Sequence, residues 1–136
     1  MSQKQWDEVD EYFNALFVPP DHALEAALQS TVDAGIPLIN VAPNQGKLLY
    51  LLARSHSTRS ILEVGTLAGY STIWLARGMQ PGGRLVTLEI DAKHAEIARE
   101  NVDRAGVSDA VEVRLGPASE SLAQLVSEGA DPFDLV

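Results

Sequence analysis

Residues Ile61 to Ala76 read ILEVGTLAGYSTIWLA. The stretch divides into a short apolar run, a turn bearing two glycines and a second apolar run of helical length. In open α/β sheets, ligands bind beyond the carboxyl ends of the strands, so a strand that turns through glycines into a helix marks a candidate site. Gly65 lets the backbone turn sharply and lets a ligand come close. Gly69 allows close approach at the helix start. The first amides of a helix beginning near Ser71 have no acceptor within the helix and are free to donate. An acid, Glu63, stands two residues before the first glycine, and the glycines are spaced G-x-x-x-G.

The chain upstream reads as helices. In WDEVDEYFNALF the apolar residues Trp6, Val9, Phe13, Leu16 and Phe17 recur at steps of three and four, one face of a helix. Pro19 and Pro20 stop it. Asp21 is placed to cap a second helix, HALEAALQSTVDA, which Gly35 and Pro37 close. NQGKLLYLLARS is a third, and its nearly continuous apolar centre predicts deep burial.

Downstream the period changes. RLVTLEI reads as a strand after the turn PGG, and DAKHAEIARENVDRAG as a helix with Ala95, Ala98, Val102 and Ala105 on one face and Gly106 at its C-terminal cap. AVEVRL is a strand, SESLAQLVSEG a helix ended by Gly129, and PFDLV the start of another strand. Strands alternating with helices predict βαβ units and a parallel sheet. The expected fold is α/β, a Rossmann-like doubly wound sheet with the N-terminal helices packed on it. It is one domain, with helices over 1–57 and βαβ units over 58–136, and no linker separates the two parts. Val136 falls inside the last strand, so a truncated domain is expected.

Composition narrows the function. The 136 residues, 46% hydrophobic, suffice for one domain with a sizeable core. With no cysteine, a disulfide, a thiolate metal site and a cysteine nucleophile are all excluded. A net charge of −9 repels a phosphate polyanion, so nucleic acid is not an expected partner. No apolar run reaches the roughly 20 residues that span a bilayer, and the N-terminus MSQKQWDEVDEYF lacks the layout of a signal peptide. A cytoplasmic location is the default. His22, His56 and His94 sit among polar neighbours and read as surface residues. Asp91 reads as a helix cap, Ser119 as a first-turn helix residue, and Trp6 and Trp74 as core or interface.

Glu89 falls at the end of the second strand, where a carboxylate can accept both hydroxyls of a ribose. Two nucleoside cofactors then compete. A dinucleotide places its pyrophosphate on the helix N-terminus, usually over G-x-G-x-x-G. The loop GTLAG lacks the middle glycine, and Glu63 is a poor companion for a pyrophosphate. S-adenosylmethionine has no phosphate and carries a cationic sulfonium and an amino group, which an acid near the loop suits. S-adenosylmethionine is therefore favoured. A nicotinamide-dependent oxidoreductase and a non-catalytic cofactor-binding or oligomerising module remain the alternatives.

ILEVGTLAGYSTIWLA, GRLVTLEID, ARENVDRAGV and VRLGPA, in this order, resemble the class I methyltransferases. More narrowly they are similar to the cation-dependent O-methyltransferases typified by the catechol and caffeoyl-coenzyme A enzymes, and INVAPNQGKLL fits as well. The resemblance covers about Ile39 to Val136 and implies a cofactor site. Asn40 and Val41 would touch the methionine portion. Glu63 and Gly65 would form the floor, with Thr66 and Gly69 in the loop. Tyr70 and Ser71 would lie beside the methionine tail, Ser71 bonding its carboxylate. Glu89 would hold the ribose, Ile90 the adenine face, and Gly116, Pro117 and Ala118 the adenine edge. The family's divalent cation, usually magnesium, is implied only for a full-length protein, because its first aspartate lies beyond FDLV. Asp134 is not that ligand. The resemblance thus implies an S-adenosylmethionine-dependent O-methyltransferase acting on a small catechol-like or phenolic hydroxyl, with no catalytic residue assigned and this chain inactive alone. A homodimer or higher oligomer is expected, built on an open sheet edge near Pro132–Val136.

Overall fold

The change of hydrophobic period near Thr58 marks a real boundary. In the computed structural model, which describes residues 2–136, three helices precede it: α1 (Gln3–Phe17), α2 (His22–Asp33) and α3 (Pro43–Ser55). After it come β1 (Ser60–Val64), α4 (Tyr70–Gly78), β2 (Arg84–Glu89), α5 (Ala92–Arg104), β3 (Val111–Leu115) and α6 (Ala118–Ser127). The three strands are parallel in the order β1-β2-β3, and Leu135 bridges to Ile61 on the free side of β1. The first strand is therefore interior to the arrangement, as a doubly wound sheet requires.

Side chains alternate across each strand and sort the core into two layers. Ile61 and Leu85 pack with Ala53, Leu75, Ala76 and Met79 beneath α3 and α4. Leu62, Val86 and Leu88 pack on the other face with Leu125 of α6. All of β2 except Arg84 is buried, as befits a parallel strand covered on both faces. α4 is apolar nearly all round and is correspondingly enclosed. Register places Glu63 beside Thr87, so Glu63 faces the α4 layer rather than α6.

The N-terminal helices join this α4 side. α3 crosses α4 closely and reaches β1 through Ala53, α2 packs on α4 and α5, and α1 packs on α3. Two expectations about them need correction. The apolar centre of α3 is not deeply buried: Leu48, Leu51 and Leu52 are exposed, and only Gly46 and Ala53 are fully enclosed. On α1, Trp6, Val9, Phe13, Leu16 and Phe17 are also exposed, whereas Trp74 is core. α1 lies against α3 along its Asp10 edge, where Asn44 Nδ2 donates to Asp10 Oδ1 (2.7 Å), so the apolar stripe is only partly covered.

The caps follow the sequence. Asp21 accepts from the amides of Ala23 and Leu24, and Asp91 from those of Lys93 and His94. Asp134 accepts from the amides of Arg59 (2.7 Å) and Ser60 (2.9 Å), which ties the C-terminal segment to β1. No helix among the described residues is long and apolar enough to cross a membrane.

Candidate functional site

The glycine turn builds a cleft of about 360 Å³ above the carboxyl end of β1. Asn40, Val41, Gly65, Thr66, Tyr70, Ser71 and Glu89 all border it. Gly69, the residue before α4, has φ +83°, and a Cβ there would lie 3.4 Å from the Ala98 backbone. Glycine thus serves the left-handed turn, with α5 in ordinary contact beneath it. The first bond of α4 runs from Ile73 N to Gly69 O, and no side chain caps the helix. The amides of Tyr70, Ser71 and Thr72 therefore have no acceptor within the helix, and they carry the positive end of its dipole.

Glu89 closes the other end of the cleft. It is buried, and its carboxylate accepts four backbone amides: Thr66 (3.1 Å) and Leu67 (2.8 Å) on Oε2, Ile90 and Asp91 (2.9 Å each) on Oε1. The ribose acid of the sequence is thus also the anchor of the loop. His94 borders the cleft with Nδ1 3.7 Å from Glu89 Oε1. Its reading as a surface residue is corrected. It sits in the first turn of α5, one turn beyond a strand end that faces the site, and that spacing was the available signal.

Glu63 lies behind the loop rather than in the cleft. It accepts from Ser71 Oγ (2.6 Å), Thr72 Oγ1 (2.5 Å) and Thr87 Oγ1 (2.7 Å). With Thr87's proton committed to Glu63, Thr66 Oγ1 donates to Thr87 Oγ1 across 2.6 Å. Ser71 thus borders the cleft with its hydroxyl bonded to Glu63, beside the free amides of α4. Tyr70 borders the cleft, and its ring is built into the core with Leu24, Ile73 and Trp74.

Ile90, Gly116 and Ala118 border a second cavity of about 220 Å³ that adjoins the cleft through Gly65 and Glu89. Pro117 is exposed and borders neither. Among the described residues, no group of three or more His, Asp or Glu could hold a metal ion.

Burial pushes the Glu63 carboxyl above the ordinary glutamate value of 4.5, and the three hydroxyl donors offset this only in part. The unfolded chain releases the proton near 4.5, while the folded chain holds it to higher pH. Glu63's contribution to stability is therefore complete below 4.5 and declines as pH rises through the window above it. Glu63→Gln should gain on the parent protein across that window in urea melts taken at successive pH values. A difference that stays constant across the same window would contradict the shift.

The sequence model of the O-methyltransferase family matches residues 18–136. The chain belongs to that family. The chain is 52% identical over 136 residues to a catechol O-methyltransferase of Niastella koreensis, covering 100% of this chain and 62% of that protein. An O-methyltransferase from Bacillus cereus solved in complex with SAH (S-adenosylhomocysteine) superimposes with a TM-score of 0.95 at 50% identity, covering 97% of this chain and 60% of that one. TomG from Streptomyces achromogenes, solved with SAM (S-adenosylmethionine), gives a TM-score of 0.93 at 46% identity, with 99% and 61% covered. The chain thus spans about three-fifths of the length of these relatives.

Proposed function

We propose that this chain carries the S-adenosylmethionine site of an enzyme that transfers a methyl group to a hydroxyl of a small catechol-like or phenolic acceptor. The single observation that carries the reading is Glu89, buried at one end of a cleft whose other end is the uncapped N-terminus of α4. The donor set suits a zwitterionic nucleoside without phosphate. Glu89 would accept ribose hydroxyls. The amides of Tyr70 to Thr72 would donate to the methionine carboxylate, and Asn40 and Val41 would flank the methionine portion. Glu63, two residues before Gly65, would brace the cleft from behind through the hydroxyls of Ser71 and Thr72. Ile90, Gly116 and Ala118 would receive the adenine in the adjoining cavity, with Pro117 at its rim. When bound, the cofactor supplies an electrophilic methyl on its sulfonium. The chain's own part is to fix the cofactor's orientation, so that an acceptor meets the methyl in line.

Isothermal titration of this chain should show saturable S-adenosylhomocysteine binding and none with NAD. Tight NAD binding without S-adenosylhomocysteine binding would overturn the reading.

We further expect self-association. β1 is paired on its outer edge over Ser60–Leu62, where Asp134 N (2.9 Å) and Leu135 N (3.3 Å) donate to Ser60 O and Leu62 N donates to Leu135 O (3.0 Å), while Val64 and Val136 are exposed beside an apolar groove of about 530 Å³. Such an edge recruits other chains. Light scattering should report a dimer or larger species. A monomer at high concentration would contradict this.

A further inference from the structure

Asn101 lies on α5 and is completely buried. Its Nδ2 donates to the carbonyl of Ala68 (2.8 Å), inside the loop that floors the cleft, and to Ser30 Oγ of α2 (2.8 Å). A carbonyl only accepts, so the Ala68 contact fixes which way the amide points. Its Oδ1 accepts from Arg104 Nη1, while Ser30 Oγ, which accepts from Nδ2, has the Ala27 carbonyl in reach of its own proton (3.0 Å). Every polar atom of the side chain is thus engaged, and its one contact with the β1–α4 loop is that carbonyl.

The loop it grips needs holding. Leu67 has φ +51°, in the left-handed region that a branched, non-glycine residue occupies only under constraint. From the cleft side, Glu89 fixes the amides of Thr66 and Leu67. From the opposite side, Ala98 packs under Gly69, and Asn101, one turn along the same face of α5, fixes Ala68 O. A strained residue between two anchors persists because each anchor removes an alternative path of the chain.

We infer that Asn101 is a positioning residue for the cofactor loop: through Ala68 O it holds Thr66–Gly69 in the strained shape that floors the cleft, and couples that shape to α2 through Ser30. The ligand this shape serves rests on the cofactor reading proposed above; the grip on the loop does not. Nothing in the arrangement requires Asn101 to touch the cofactor.

The test compares Asn101→Asp with Ser30→Ala in the full chain. Asn101→Asp keeps the shape but sets an acceptor against the Ala68 carbonyl. Ser30→Ala removes the α2 link and leaves the Ala68 bond. Amide hydrogen exchange by NMR should accelerate at Thr66, Leu67 and Gly69 by about ten-fold or more in Asn101→Asp, the equivalent of one lost buried hydrogen bond. The β2 amides of Val86 and Leu88 should be unaffected. S-adenosylhomocysteine affinity should fall by about the same factor. Ser30→Ala should melt at lower temperature yet keep loop exchange and affinity within about two-fold. Asn101→Ala, neutral and smaller, carries the same expectation if the aspartate variant does not fold. Unchanged loop exchange in the Asn101 variants would overturn the inference, as would equal acceleration in β2 or in Ser30→Ala. If the parent chain binds no S-adenosylhomocysteine, the cofactor reading fails, while the exchange comparison still decides the positioning role.

Discussion

Glu89→Ala should weaken S-adenosylhomocysteine binding by about two orders of magnitude. A buried carboxylate that accepts two ribose hydroxyls makes two charge-assisted bonds, and losing such a pair costs about 3 kcal/mol, or roughly 150-fold. In this protein the same carboxylate also accepts the amides of Thr66, Leu67, Ile90 and Asp91, so its removal orphans four donors around the cleft. The loop that floors the site loosens together with the loss of the ribose contact. Glu89→Gln keeps the shape and one acceptor oxygen, and should fall between the two, at about ten-fold. Isothermal titration measures both. Affinity for Glu89→Ala within about three-fold of the parent would mean that the ribose is held elsewhere.

The largest stability loss is expected where α3 crosses α4. A Cβ on Gly78 would lie 2.6 Å from Tyr50 O and 2.8 Å from Ala53 Cβ, and one on Gly46 would lie 2.3 Å from the Trp74 ring. The first obstacle is backbone and the second a buried indole, so neither can yield without moving a helix. Overpacking costs typically 1–3 kcal/mol, and Gly78→Ala or Gly46→Ala should sit at or above about 3 kcal/mol. For a domain of this size that lowers the melting temperature by about 10 °C. Melting within about 2 °C of the parent would show that the two helices are not in such close contact.

These two predictions draw on different parts of the sequence, and the parts were not equally legible. The turn from β1 into α4 and the acid ending β2 could be read directly. A β-branched run, a pair of glycines and an apolar helix leave few other ways to fold, and position along a parallel strand fixes which end faces the ligand. Glu63 was legible as an acid near the loop, but not as an acceptor of Ser71, Thr72 and Thr87. That assignment depends on the register between β1 and β2 and on the face α4 returns along, which periodicity alone does not carry. His94 was hidden for a related reason: polar neighbours in sequence say little about a residue whose helix begins at the mouth of a cleft. Asn101 looked like an ordinary polar position in a helix, because its partners Ser30 and Ala68 lie 71 and 33 residues away in the chain. On α1 and α3, apolar spacing showed that a face exists but not what covers it. Leu48 and Leu51 line an open groove between those helices together with Trp6, Phe13 and Phe17.

The central claim is that one cleft holds the nucleoside at Glu89 and the amino-acid tail at the start of α4. A crystal structure of this chain with S-adenosylhomocysteine tests it most directly. The account predicts ribose hydroxyls on the Glu89 carboxylate, the ligand carboxylate on the amides of Tyr70 to Thr72, and adenine between Ile90 and Ala118. A ligand seated elsewhere, or one in this cleft with its ribose away from Glu89, would contradict it.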